Sequence, residues 1–486
     1  MRSSNCITLG RCKTLRRIMG SEKEAEKVET KNLPNNGTMI TPGCAVLLDI
    51  NNGDKMTFAH LNKNASVKIG NTKCWLDALV GHPFGSVFEV QSGAKGGSFV
   101  RVSPSGADLR DGLGEKDDGE EAPGDEVKGK DNRSLIDNNT AQTLSAEDIS
   151  KMRTEGVSGR AIMEALVANS ATFHTKTAFS QEKYLRKKQK KYAPRVVVRR
   201  PSARSVCEAY FAKDPNKTGH LRMDMLSLIL SLANVGGYAE VLVLDMLGGL
   251  LTASVAERLG GYGFVCSTYH TSKPQTIDMV RLFNFDASTS SRVVRAPASQ
   301  LIAARTAASK FSTDSALQET DGEDCIPIIL NEAKAVSTSP IVDLEDTPRL
   351  ESEHTAKRRA QSRSDDFEPG KSIKPGRLAS EEDMKRWGRE GFTSLIVGAP
   401  FLDPWTVVKK LLPLLASSAP FVIYHPYLQP LAECMNKLQS ERIAVALQLQ
   451  EPWLREYQVL PSRTHPNMQM SSTGGWALSG IYISKT

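Results

Sequence analysis

The sequence has no apolar run long enough to cross a bilayer; its longest apolar stretches are the length of a strand. A transmembrane reading therefore has no support, and no membrane partner is expected. Aromatic residues are scarce at 6%, and hydrophobic residues make up only 40% of 486. That is too little apolar material to pack the whole chain into cores, so part of it is expected to be loop or disorder. The eight cysteines stand singly, with no C-x-x-C pair, which argues against zinc and disulfide frameworks and fits a reducing compartment. The eight histidines show no metal-ligand spacing either, so no metal site is expected. His425 and His465 each precede a proline and read as loop residues. At the N-terminus, Arg2, Arg11, Lys13, Arg16 and Arg17 lie among small residues, with an acidic run at 22–29 behind them. Without an apolar core this is not a secretory signal, while its basic, acid-free opening leaves organelle targeting open.

The length points to two or three domains. Residues 1–37 read as a disordered tail. The pattern then changes to short β-like runs at 44–50, 56–61, 66–69, 86–89 and 98–102, broken at Asn52-Gly53, Gly81, Gly93 and Gly96-Gly97. This spacing predicts a small β-barrel-like domain over 38–102. Residues 103–130 hold almost nothing to bury and read as a disordered insertion. A helical connector follows over 131–200, with one helix opening behind Ser145 and a second behind Ser158, whose stripe is Ile162, Met163, Leu166 and Val167.

Helices are also predicted at 202–212 and 223–232. The strand 241–244, a glycine-containing turn, a helix to Leu259 and a strand at 263–267 then form a β-α-β pattern, the signature of a parallel sheet. The first part of this α/β domain spans 201–286. Residues 287–384, rich in Ser, Ala and charge with one apolar island at 326–330, read as a large disordered insertion. The second part, 385–486, carries strands at 394–397 and 420–424, helices at 405–415 and 427–438, and a closing antiparallel pair at 443–449 and 476–483.

The loop after the first parallel strand is where a nucleotide or S-adenosylmethionine would bind. Such a loop needs glycines that let backbone approach the ligand and present its amides. Here it reads Asp245-Met246-Leu247-Gly248-Gly249-Leu250: Gly248 and Gly249 are adjacent rather than alternating, and bulky residues surround them. At the end of the next strand, Cys266-Ser267-Thr268-Tyr269-His270 offers no carboxylate for a ribose. The fold signal is present while both chemical supports are missing, so no catalytic residue and no working cofactor site are expected. Asp403, just past a strand and before Pro404-Trp405, reads as a base or clamp, or as a helix N-cap.

The net charge of +7 matters through its placement. Residues 176–200 hold ten Lys or Arg against one Glu. Lys183, Arg186, Lys187, Lys188, Lys190 and Lys191 fall on one helical segment, and Arg195, Arg199 and Arg200 flank a short strand, 196–198, beyond Pro194. This is the candidate nucleic-acid patch, with Tyr184 and Tyr192 placed to stack on bases or simply to pack. A solvated helix face or a localisation signal is the blander reading. Arg455, Tyr457, Arg463 and His465 cluster in one late loop region and form a candidate interface with a partner protein or RNA.

Several strings in order carry a resemblance: Lys73-Cys74-Trp75-Leu76-Asp77, Phe179-Ser180-Gln181-Glu182-Lys183-Tyr184, Val241-Leu242-Val243-Leu244-Asp245, Gly260-Gly261-Tyr262-Gly263, and Leu454-Arg455-Glu456-Tyr457 with Arg463-Thr464-His465-Pro466. Through them the chain resembles the family of non-catalytic subunits of the eukaryotic tRNA adenine-58 N1-methyltransferase. The resemblance implies a Rossmann-like methyltransferase fold with a degenerate cofactor site behind the barrel-like domain. It also implies tRNA binding, a homologous catalytic subunit that holds S-adenosylmethionine, a heterotetramer of two plus two, and work in the nucleus. An active S-adenosylmethionine-dependent RNA methyltransferase and a purely structural scaffold are the alternatives.

Overall fold

The computed structural model describes residues 38–93, 96–102, 142–176, 178–271, 274–317, 376–460, 463–468, 470–471 and 473–484. The expected tail at 1–37, the insertion at 103–130 and the apolar island at 326–330 lie outside these residues.

Six short strands open the fold: β1 (Ala45–Ile50), β2 (Lys55–His60), β3 (Ser66–Ile69), β4 (Thr72–Trp75), β5 (Val87–Gly93) and β6 (Gly96–Arg101). The β1–β2 turn, Asn51-Asn52-Gly53, has φ of 54°, 58° and 96°, the left-handed region that Asn and Gly tolerate. Asp49 Oδ1 holds it by accepting the Gly53 N–H at 2.6 Å. A seventh strand, β7 (Arg195–Arg199), enters between β1 and β5 to give the order β2-β1-β7-β5-β6-β4-β3. Residues 195–199 therefore belong to this sheet and not to the connector. Val196 and Val198, both fully buried, are what carry them there, through pairs such as Ile50 with Val196 and Leu48 with Val198. The core contains side chains of this sheet and its own loops, among them Ile40, Leu61, Leu76 and Leu79. The sheet thus closes over its own apolar face in a barrel-like manner.

Among the described residues, three helices stand between β6 and β7: α1 (Ala146–Thr154), α2 (Gly159–Ala168) and α3 (Ala178–Tyr192). Ser145 caps α1 in a reciprocal box with Asp148, and Ser158 caps α2 by accepting the Ala161 N–H. Ile162, Leu166 and Tyr192 form their small shared core.

The second sheet is built from β8 (Glu240–Asp245), β9 (Phe264–Tyr269), β10 (Val293–Pro297), β11 (Arg377–Leu378), β12 (Ser394–Gly398), β13 (Pro420–His425), β14 (Ala444–Gln450) and, last in the chain, Trp476–Tyr482. Between the last two lies a separate hairpin, β15 (Tyr457–Leu460) with β16 (Arg463–Pro466), so the final strand is β17. The order is β11-β10-β9-β8-β12-β13-β17-β14. All neighbours from β11 to β13 run parallel, and β17 runs antiparallel to both its neighbours. β8, β12 and β13 are buried almost throughout, because helices cover both faces, as continuous Val, Leu and Ile runs require. On one face lie α4 (Ala203–Lys213), α5 (Met223–Leu232) and α6 (Leu250–Leu259). After the short α7 (Ala287–Ser291) come α8 (Ala298–Leu317), α9 (Glu381–Glu390), α10 (Pro404–Leu411) and α11 (Leu428–Glu441). The last four supply the other face with Leu301, Trp387, Val408 and Leu431.

The expected insertion at 287–384 is thus corrected at both ends. β10 sits inside the sheet, with Val293, Val294 and Ala296 fully buried, and α9 begins at Glu381. A short strand containing an Arg and a Pro vanishes in a composition average taken over so long a stretch. Arg305 then ties α8 to its neighbours by donating to the carbonyls of Gly388, Arg389, Pro413 and Leu415 at 2.9–3.3 Å, a cation set at helix C-termini. Gly388 lets the helices cross closely, since a Cβ there would lie 2.8 Å from the Ala304 carbonyl oxygen.

The barrel-like unit meets the α/β unit through Asn284. Its side-chain amide accepts the Ala45 N–H and donates to the Ala45 carbonyl, both at 2.7 Å. Beside it, Phe58 stacks on Tyr210 with centroids 5.4 Å apart.

Candidate nucleic-acid interface and cofactor loop

The strand order reverses between β8 and β12, so the crevice outside their carboxyl ends is where a doubly wound sheet takes a ligand. The first loop there is occupied by its own chain. Asp245 is 2% exposed. Its Oδ1 accepts the N–H of Leu247 at 2.8 Å and of Gly249 at 3.4 Å, and its Oδ2 accepts the N–H and hydroxyl of Thr252 at 2.9 and 3.0 Å. Burial pushes this carboxyl above its ordinary pKa, against the pull of those donors. The amides that would face an anion at the start of α6 therefore face an internal carboxylate.

The glycines are also covered. A Cβ on Gly249 would lie 2.7 Å from Ile277 Cα, and one on Gly248 would lie 2.9 Å from Met279 Cε. Leu247, 1% exposed, packs against Gly398 of β12, and the Met246 N–H donates to the Gly398 carbonyl at 2.9 Å. At the end of β9, Thr268 is buried and its hydroxyl meets no partner among the described residues. Beside it lies a cavity of about 210 Å³ lined by Leu244, Ala298, Leu402, Val407 and Leu411 together with the polar Thr268, His270, Asp403, Thr406 and Lys410. The amides and glycines that S-adenosylmethionine would need after β8 are taken instead by Asp245, Ile277 and Met279.

Asp403 resolves as the cap. Its Oδ2 accepts the N–H and hydroxyl of Thr406 at 2.8 and 2.6 Å, and these bonds hold its carboxyl below the usual value. His425 is the buried last residue of β13 rather than a loop residue, and its Nδ1 accepts the Tyr427 N–H at 3.0 Å. His465 likewise stands on a strand, β16. Among the described residues, no group of three or more His, Cys, Asp or Glu is placed to hold a metal.

The basic segment folds as α3 and divides into two stripes. Arg186 pairs with Glu182 at 2.6 Å, and Lys190 pairs with Asp54 of the barrel-like unit at 2.8 Å. Lys183, Lys187 and Lys191, spaced four apart and so on one face, are exposed and have no acid partner among the described residues. Lys188 lies over the rings of Tyr184 and Tyr192. Both tyrosines pack: Tyr192 is buried, and Tyr184 sits 5.6 Å from Phe173. On β7, Arg199 is drawn to the buried Asp49 at 2.5 Å and Arg195 is half-buried, while Arg200 follows the strand and is exposed. Sequence reasoning missed Arg153, which donates to the Lys191 carbonyl at 3.1 Å and lies over Tyr192. Only the fold brings it there.

The late candidate residues gather on one arm. β15 and β16 place Tyr457 opposite Pro466, His465 opposite Gln458, and Arg463 opposite Leu460. Just before them, Arg455 lies 3.6 Å from the centre of the Trp453 ring. Trp453, Tyr457, Val459 and Met468 are 57–90% exposed. Arg222, also missed, fixes both ends of the arm. It pairs twice with Asp224 at 2.8 Å and donates to the carbonyls of Ser471 at 3.0 Å and Pro452 at 3.2 Å.

The family model described as Gcd10p matches residues 39–324. The tRNA (adenine(58)-N(1))-methyltransferase non-catalytic subunit TRM6 of Mus musculus is 32% identical over 86% of this chain and 84% of its own length. The corresponding subunit of Dictyostelium discoideum is 31% identical over 92% and 80%. Among solved structures, the tRNA (m1A58) methyltransferase TrmI of Aquifex aeolicus aligns at 11% identity with a TM-score of 0.41, covering 92% of this chain and 100% of its own. With the family model spanning more than half of its length and relatives above 30% identity along most of it, the chain belongs to the Gcd10p family.

Proposed function

We propose that this chain is the tRNA-binding, non-catalytic subunit of a tRNA adenine-58 N1-methyltransferase, and that a homologous catalytic subunit binds S-adenosylmethionine and performs the transfer. The observation that carries the reading is the loop after β8, whose amides are taken by Asp245 and whose glycines are covered by Ile277 and Met279. A chain built so keeps the methyltransferase architecture and leaves the chemistry to another. Its part is to hold the RNA while the target adenine of the T-loop is exposed to the catalytic subunit, which requires distortion or base extrusion.

The stripe Lys183, Lys187 and Lys191 supplies the phosphate contacts, and the arm carrying Arg455, Tyr457, Arg463 and His465 supplies the contact with the catalytic subunit. Exposed Trp453, Tyr457 and Met468 on that arm, with Arg455 against the Trp453 ring, are the composition of a protein interface. Two copies of each subunit and nuclear work rest on the family resemblance alone.

The test replaces Lys183, Lys187 and Lys191 with Gln in the chain co-expressed with its catalytic subunit. Assembly should survive while tRNA affinity falls, and the salt dependence of log Kd should flatten by roughly 0.7–0.9 for each phosphate that no longer meets a cation. Unchanged affinity and slope would remove α3 from the interface and leave the scaffold reading.

A further inference from the structure

The face of the β3–β4 hairpin carries a second feature that nucleic acid would recognise. Gly70-Asn71, with Gly70 at φ 59°, joins the two strands in a two-residue turn that fixes the register. That register sets Lys68 directly opposite Lys73 and Ser66 opposite Trp75. Lys68, Lys73 and Trp75 all point to solvent, while Val67, Ile69 and Cys74 contribute to the barrel core. Like charges facing each other across a ladder destabilise it, and neither lysine has an acid partner among the described residues. Of the acids in the same barrel-like unit, Asp49 and Asp54 are taken by Arg199 and Lys190, while Asp77 and Glu89 pair with neither Lys68 nor Lys73 among the described residues.

Trp75 is 41% exposed, with the Lys73 ammonium 4.6 Å from its ring centre. The indole lies beside Gly96, where a Cβ would come within 3.7 Å of its Nε1. A partly exposed aromatic ring that shares the outside of a sheet with two lysines is the chemistry of unpaired nucleotides: a base stacks on the ring and its flanking phosphates meet the ammonium groups. On α3, Tyr192 is buried and Tyr184 is half-buried beside Phe173 with Lys188 over its ring, which makes Trp75 the more exposed platform.

Resting on the RNA-binding reading above, we propose that Trp75, Lys68 and Lys73 form a second RNA contact that takes an unpaired nucleotide of the bound tRNA, its base stacked on Trp75. The cross-strand repulsion of the lysines is relieved when phosphate arrives.

The test measures anisotropy of labelled tRNA against the full chain assembled with its catalytic subunit, over a range of salt. Salt-dependent binding by the wild type is the control for the RNA-binding reading itself; its absence ends both readings. Given that binding, Trp75→Ala should weaken affinity about tenfold, while Trp75→Phe, which keeps a ring to stack, retains most of it. Lys68→Gln with Lys73→Gln should lower the salt slope by roughly 1.4, or 0.7 for each single-strand phosphate. The lysine pair removes the cross-strand repulsion together with the Lys73 contact to the Trp75 ring, two small opposing effects, so its melting temperature should change little as RNA affinity falls. That combination separates a binding role from a structural one. Wild-type affinity and slope in Trp75→Ala and in the lysine pair, while the α3 stripe variant still weakens binding, would overturn the second contact.

Discussion

Asp245 closes its own loop with both carboxylate oxygens, each accepting from two donors. Asn offers one acceptor oxygen and would turn its NH₂ toward donors at the other position. Asp245→Asn should therefore destabilise the chain by about 1–3 kcal/mol, the cost of a buried donor left unsatisfied, as read by chemical denaturation. Stability unchanged by this substitution would mean that the carboxylate does not hold the loop. At this scale the sequence was legible where a residue acts on its neighbours: adjacent glycines among bulky side chains, and Asp403 ahead of Pro404. It was not legible where the partner comes from elsewhere in the chain. Nothing near Lys190 indicates Asp54, and nothing near Arg199 indicates Asp49. Ion pairs that only the fold forms therefore take cations out of the candidate patch.

Among the elements, β8 and α5 stand out in the sequence because their patterns are strong: one is a continuous apolar run, the other a helical stripe with the boundaries expected. β10 and the sheet membership of β7 do not, because a five-residue strand declares itself through its partners, which are remote in sequence. The arm at 453–470 depends on a similar remote contact. Arg222, with its side chain 7% exposed and paired to Asp224, binds carbonyls at both ends of the arm. Replacing Arg222 with Met would leave Asp224 unpaired and both carbonyls unbonded, at a cost of on the order of 3 kcal/mol. Hydrogen exchange should accelerate in residues 453–470 while β8 and β12 stay protected; unchanged exchange in the arm would show that its base is held by other contacts.

Across the whole molecule, the barrel-like unit and the α/β unit are joined by hydrogen bonds from Asn284 to the Ala45 backbone and by the Phe58–Tyr210 stack. α3 runs directly into β7 of the barrel sheet and meets the β1–β2 turn through the exposed Lys190–Asp54 pair, so its lysine stripe is carried on the same unit as Trp75. The proposed role joins a cofactor loop occupied by Asp245 to cationic surfaces that would hold RNA for another subunit's chemistry. The most direct measurement is methyl transfer from labelled S-adenosylmethionine to unmodified tRNA by this chain alone, by the catalytic subunit alone, and by the two together. Transfer only in the mixture is the expected result; transfer by this chain alone would contradict it, and would mean that the loop at Asp245 opens to a cofactor.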